Sequence, residues 1–301
     1  MVEIEDIIPT NEKTDTAVAS KPYDKLQWAQ GKQQERQAVY SLIDKVAMAV
    51  GRDSHMCRTY LDVQSRFNLY SIGNALIITD QSPKATVLKD FDAWKEAGTP
   101  VKKNEKSMMI LEPGEKYSRE DGSVGTSMNI KHVFDISQTS AELQQVKIEQ
   151  PDERVLLKAL ISKAPVSIEA TDEIETSENI KNAYYDHDHE IIYVRRNLDT
   201  PELFRALSKE LALADFAAQA PEYSRSTKHF KALCVSYILC NKFGIDTKDM
   251  EIRVPATYST KEAQDIRADL TEIREEAADM ISRMSKSLEQ QKAPKSKEQE
   301  R

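Results

Sequence analysis

The sequence predicts an α+β protein of two domains: a helix-rich N-terminal domain with a small sheet, then a second mixed domain that ends in a long helix. Three observations carry that expectation. A length of 301 residues suits two domains better than one, at roughly 150 residues each. Only 8 glycines and 7% aromatics, beside 31% charged residues, describe a helix-rich chain. Apolar residues step by three or four in some stretches, as in helices, and gather in short β-rich passages such as SMMILEP in others, as in strands.

Taken in order, residues 1–24 are polar, aperiodic and contain two prolines, and are expected to be a mobile arm. The stretch from Leu26 to Val50 reads as a helix, and a second helical stretch runs from about Met56 to Asp80, with Leu61, Phe67, Tyr70, Leu76 and Ile77 near one side. Gln81-Ser82-Pro83 ends it, because the residue before a proline disfavours helical geometry. A β-rich passage follows: ATVL, a small helix FDAWKEAG closed by Gly98, and the strands SMMILEP and NIKHVFDIS, with EKYSREDGSVG as a turn or exposed loop. Apolar density falls between residues 138 and 152, which marks the linker, so that the first domain occupies 25–140.

The second domain, 152–258, restarts with a helix at 152–163, a strand around PVSIEA and a hairpin-like pair flanking DHDHE. The strand IIYVRR leads to Thr200, a suitable N-cap, and Pro201, a suitable first helical residue. Another helix, 227–243, stops at Gly244. From Ser259 the sequence STKE reads as a capping box. Over 259–291, Ile266, Leu270, Ile273, Ala277, Met280, Met284 and Leu288 form an apolar stripe that either packs on its own domain or pairs with a second chain. Residues 292–301 are expected to be a disordered tail.

Composition bounds the function. No apolar run approaches the ~20 residues of a membrane span, and the acidic start MVEIEDIIPTNEK lacks the features of a secretory signal, so a cytoplasmic protein with no membrane partner is expected. Three scattered cysteines, Cys57, Cys234 and Cys240, make no disulfide framework. The net charge is −8, yet residues 1–140 are nearly neutral, with 18 basic and 20 acidic side chains. That balance argues against indiscriminate coating of nucleic acid while leaving room for a local basic groove.

The passage FNLYSIGNALIITDQSPKATVLKDFDAWKEAGTPVKKNEKSMMILEP, followed by HVFDISQT, resembles the N-terminal domain of ArdC-type antirestriction proteins of plasmids and conjugative elements, over about residues 25–140. The resemblance implies binding of single-stranded DNA, and suitable groups are present. Lys102, Lys103 and Lys106, with Arg66, Lys89 and Lys95, can neutralise phosphates; Trp94, Tyr70 and Phe67 offer rings for stacking, worth ~1–3 kcal/mol per base; Asn74 and Gln81 can donate and accept. The same residues also have plain structural readings: Trp94, Tyr70 and Phe67 are spaced as core residues, Asn74 can cap a neighbouring strand or loop, and the lysines can solvate a turn.

Within YYDHDHEIIYVRRNLDTPELFRALSKELALADF the order of strand and helix resembles zincin-like metallopeptidase domains, over about residues 152–248. In HExxH the two histidines, four apart on one helical face, hold zinc while the glutamate activates water. Here the stretch reads Lys209-Glu210-Leu211-Ala212-Leu213: Glu210 keeps the general-base position, both histidines are replaced, and the following helix offers no acidic ligand. The resemblance therefore implies a vestigial Glu210, no catalytic residue, no metal and no cofactor, with His187, Asp188, His189 and Glu190 read as turn chemistry. The expected function is single-stranded-DNA binding in conjugative transfer or antirestriction, with an inactive second domain or the terminal helix available to a protein partner. The rivals are a metal-dependent hydrolase with unconventional ligands and an adaptor that binds no DNA.

Overall fold

The structure, a computed structural model, describes residues 25–119, 121–141, 151–174, 182–219 and 222–292. The expected mobile arm, the middle of the expected linker (142–150) and the tail beyond 292 lie outside the described residues. The chain divides into two compact units, Met1–Ala38 and Val39–Arg301. In the first, the described part is the opening stretch of helix α1 (Lys25–Val50), where Lys32 pairs with Glu35 at 2.8 Å one turn on.

The second unit holds the last turns of α1 and then α2 (Ser54–Arg66), α3 (Ile72–Gln81), β1 (Leu88–Lys89), α4 (Phe91–Glu96), β2 (Met108–Ser118), β3 (Val124–Asp135), α5 (Glu153–Ile161), β4 (Ser167–Thr171), β5 (Ala183–Asp186), β6 (Ile191–Arg195), α6 (Thr200–Gln219), α7 (Arg225–Phe243) and α8 (Ala263–Lys292). Two three-stranded sheets lie on either side of the expected linker. The first is antiparallel in the order β1-β3-β2; the second runs β4-β6-β5, with β4 parallel and β5 antiparallel to β6. The mixed fold class is as the sequence predicts.

Helix α7 is the hub, packed against α2, α6 and α8. Its apolar side chains Cys234, Tyr237 and Leu239 join Tyr60 and Leu61 of α2, Phe204, Leu211 and Phe216 of α6, and Ile266 and Ile273 of α8 in one buried cluster. Each large side chain so buried contributes about 1.5–3 kcal/mol. Polar ties also cross the expected linker: Asp62 of α2 accepts from Tyr237 Oη at 2.7 Å and Asn241 Nδ2 at 3.0 Å, and Arg58 donates to the Thr247 carbonyl at 3.2 Å. The stripe on α8 is buried within its own chain, the first of its two readings. Among the described residues no helix is long and apolar enough to cross a membrane.

Four local expectations are corrected. The single helix over 56–80 is two helices, because Gln64 Nε2 donates to the Phe67 carbonyl at 3.1 Å and stabilises a turn, after which Ser71 caps α3 by accepting from Asn74 N at 3.3 Å. Most of EKYSREDGSVG is strand, since β2 and β3 stay paired out to Ser118 and Val124 and turn only beyond them. Asp199 rather than Thr200 caps α6, accepting from Glu202 N at 2.7 Å. The STKE capping box does not form: Ser259 Oγ turns back to the Ala256 carbonyl at 2.6 Å within a 3₁₀ turn, and α8 starts at Ala263.

Helix α8 is also fastened by charge. Glu272 takes Lys228 and Lys231 of α7, Asp269 takes Lys231 and Lys261, and Arg283 pairs with Asp215 of α6. Beside that last pair Glu276, only 4% exposed, accepts from Gln219 Nε2 at 3.0 Å. Burial pushes its carboxyl up to about 8, and the neighbouring Asp215 carboxylate adds to the rise, while Gln219 and Arg283 oppose it. Between the ordinary value of 4.5 and about 8 the folded chain therefore keeps a proton that the unfolded chain has lost, and stability falls as pH rises through that window. Replacing Glu276→Gln removes this loss. The variant is expected to be more stable than the wild type at pH 8, by on the order of 1 kcal/mol or more, with the gap shrinking towards pH 5 in urea titrations.

Candidate functional site: a basic turn and a clamped glutamate

Strand β2 lies at one edge of the first sheet, so alternate residues present an N–H and a carbonyl with no strand to receive them. Helix α3 meets that need. Asn74 and Gln81 are seven apart, two turns along one side of the helix. Leu111 N donates to Asn74 Oδ1 at 2.7 Å, Asn74 Nδ2 donates to the Leu111 carbonyl at 2.8 Å, and Met109 N donates to Gln81 Oε1 at 2.8 Å. Both side chains expected to read DNA are turned to the sheet edge, Asn74 through both amide atoms and Gln81 through its oxygen, and Asn74 is 8% exposed. Capping a neighbouring strand is the role the structure gives them.

Trp94 is corrected likewise. It is 3% exposed, its Nε1 donates to the Phe134 carbonyl at 2.9 Å, and Lys89 Nζ lies 4.8 Å from the ring centroid. The ring is core, covered by a cation, and presents no face on which a base can stack. Phe67 is buried as well, and the half-buried Tyr70 leans on it with ring centroids 5.2 Å apart. The exposed Arg66 pins the turn after α3, donating to the Pro83 carbonyl and, at 3.0 Å, to that of Ala85.

Lys102, Lys103 and Lys106 are exposed together on the turn between α4 and β2. Asn104 makes that turn in the left-handed region at φ 66°. Its flanks are tied to the end of β3: Val101 bridges Thr139, Lys102 N donates to the Gln138 carbonyl at 2.9 Å, and Gln138 Nε2 donates to the Lys106 carbonyl at 2.8 Å. Lys102 Nζ donates to the Ser137 carbonyl at 3.1 Å, which leaves two of its three protons for another acceptor. Thus the structure brings the three lysines together and removes Asn74, Gln81 and Trp94 from their company.

Sequence reasoning missed Asp135, which caps the short segment 136–138 to which the lysine turn is tied. It is 3% exposed, and its oxygens accept from Thr86 N at 2.6 Å, Val87 N at 3.0 Å, Ser137 N at 3.0 Å and Ser137 Oγ at 2.6 Å. Burial opposes its charge, but the bonds from Ser137, Thr86 and Val87 outweigh burial and hold the carboxyl below its ordinary value. A readable signal existed: Asp135 and Gln138 have the spacing of a capping box, and that box forms.

In the second half, Glu210 is fully buried on α6. Arg225, the first residue of α7, donates to both of its oxygens, at 2.8 and 3.0 Å; Tyr185 N of β5 donates at 2.9 Å; Lys209 Nζ lies 3.2 Å away. Leu213 fills the core, as expected. The guanidinium also stacks over Tyr184 at 4.7 Å, and the rings of Tyr185, His187 and Tyr223 gather beside it. On the other side Lys209 opens onto a cleft of about 510 Å³ shared with Asn182, Glu202, Arg205 and His229. The turn after β5 is exposed, with His189 Nδ1 2.8 Å from Asp186 Oδ2. Among the described residues no group of three or more His, Cys, Asp and Glu side chains could hold a metal ion.

Residues 29–154 match the family described as the N-terminal domain of anti-restriction factor ArdC. An uncharacterized protein of Bacillus anthracis is 25% identical over 325 aligned positions, which take in 89% of this chain; the chain spans 55% of that relative, about half its length. Two crystal structures of the antirestriction ArdC protein from the R388 plasmid, metal-free and Mn(II)-bound, are similar with TM-scores of 0.49 and 0.48 and identities of 16% and 15%. Each covers 73% of this chain, and 86% and 85% of theirs.

The pairing of α3 with β2 has a measurable cost when broken. Asn74→Leu leaves the Leu111 N–H and carbonyl buried and unpaired, and is expected to destabilise the protein by about 1–3 kcal/mol in denaturant titration. An exposed substitution such as Lys103→Ala should stay within about 0.5 kcal/mol.

Proposed function

Because residues 29–154 match the family described as the N-terminal domain of anti-restriction factor ArdC, we propose that the protein binds single-stranded DNA for a mobile genetic element, in conjugative transfer or in defence of that DNA against restriction. The observation that carries the reading is the turn bearing Lys102, Lys103 and Lys106: three exposed ammonium groups within five residues, inside the matching segment. Anchored through Val101, Lys102 and Lys106 to Gln138 and Thr139 just beyond β3, the turn offers phosphates three donors on a fixed stretch of backbone. A tethered backbone costs less entropy to engage than a loose one. Tyr70 is the ring of the expected set that keeps partial exposure, and Arg66, exposed as a residue though its guanidinium is tied to the Pro83 and Ala85 carbonyls, lies nearby in sequence.

In this reading the second half is a zincin-like module without peptidase chemistry. Glu210 stands where a general base would stand, but its two oxygens are taken by Arg225 and by Tyr185 N, and no histidine is available on its helix to hold an ion. The module and α8 serve as scaffold and as a surface for a protein partner.

The test is fluorescence anisotropy with labelled single-stranded and duplex oligonucleotides over a salt series. The wild type is expected to prefer the single strand, with an affinity that falls as salt rises. Changing Lys102, Lys103 and Lys106 together to alanine should reduce the log–log salt slope by about 2, at roughly 0.7 per lost phosphate contact, with little change in thermal unfolding. A wild type that binds neither form, or binds without salt dependence, defeats the proposal.

A further inference from the structure

In helices that carry HExxH a divalent ion sits beside the glutamate, and the residues present on α6 do not fit one. At the two histidine positions stand Lys209, a cation, and Leu213, which carries no lone pair. Helix α7 contains no Asp or Glu from Arg225 to Phe243. The carboxylate of Glu210 already faces two positive groups, Arg225 and Lys209. A dication brought to this place would meet one occupied carboxylate and two like charges.

We infer that Arg225 has taken over the structural office of a metal ion, its guanidinium being the built-in counter-charge around which α6, β5 and the start of α7 are assembled. This rests on the zincin-like reading of the second half and holds whether or not DNA binds. The geometry matches what such an ion must do. The two terminal nitrogens engage both oxygens of Glu210 in a fork, the planar arrangement that arginine offers and lysine does not. The arginine side chain is 12% exposed and the glutamate 0%, so water screens the pair little. Tyr185 N completes the carboxylate's shell from the strand, and Tyr184 covers the cation with its ring, so three elements converge on one charge pair. A metal ion ties side chains together by accepting their lone pairs; here a donor on the chain ties them together by giving its protons. The consequence is a module that keeps its form with no ion and has no carboxylate left to activate water.

The experiment is a double-mutant cycle in urea on the full chain, together with metal analysis. Arg225→Met leaves a carboxylate buried without its partner and is expected to lower the folding equilibrium constant by about 100-fold or more. Arg225→Lys, which restores the charge without the fork, should recover part of that loss. The double variant Glu210→Met with Arg225→Met removes both charges and should be at least tenfold more stable than Arg225→Met alone. If Arg225→Met proves too unstable to fold, the double variant decides: folding supports the inference and failure overturns it. After dialysis against zinc or manganese, the wild type should hold no stoichiometric metal, and a chelator should leave its thermal midpoint unchanged. The inference is also overturned by one ion per chain that vanishes in Glu210→Gln, or by single effects that simply add.

Discussion

A carboxylate sealed away from water must find its compensation inside the protein, or it will not stay charged and buried together. Glu210 imposes that constraint on the second half of the chain. Its position on α6 decides where β5 has to run, because Tyr185 must turn its N–H towards it, and where α7 has to begin, because Arg225 must reach both oxygens. Helix α7 in turn receives α2 on one side and α8 on another. A single charge pair thus sets the starting point of the helix on which most of the core is built.

The first half obeys the same logic with neutral groups. An edge strand with bare amides invites the wrong neighbour, and α3 answers with two side-chain amides at matched spacing. Asp135 performs a like task for backbone N–H groups at the far end of β3. What is left over for a ligand after these obligations is modest: cations on a tethered turn and one partly open tyrosine. Polar residues that look like readers of a ligand are, in this sheet, more needed by the backbone.

Much of the fold was legible because its signals are local. The short apolar runs within SMMILEP and NIKHVFDIS, Gly98 and Gly244 at helix ends, and the stripe of α8 each depend on neighbours within a turn or a strand. The break between α2 and α3 was not legible, since apolar spacing continues across it and only the reach of Gln64 to Phe67 reveals the turn. The site was legible in part. Leu213 as core and the lysines as an exposed group follow from residue type and context. Trp94 as core and Asn74 as a strand cap were each among the readings the sequence allows, but choosing them required seeing Phe134 and Leu111 across the sheet. Arg225 carried no signal at all: it lies 15 residues beyond Glu210, past the end of a helix, and nothing in its surroundings announces a partner.

Asp62 on α2, held by Tyr237 and Asn241 from α7, has a bearing on how such chains can be rearranged. Modules joined by a linker alone can be exchanged by recombination with little harm. In this chain a graft of the front portion onto a foreign rear would carry along an acid in search of two particular donors, and a greasy flank in search of a particular helix. Inheritance of the two portions is thereby coupled: substitutions on either side of that seam constrain which substitutions the other side can accept.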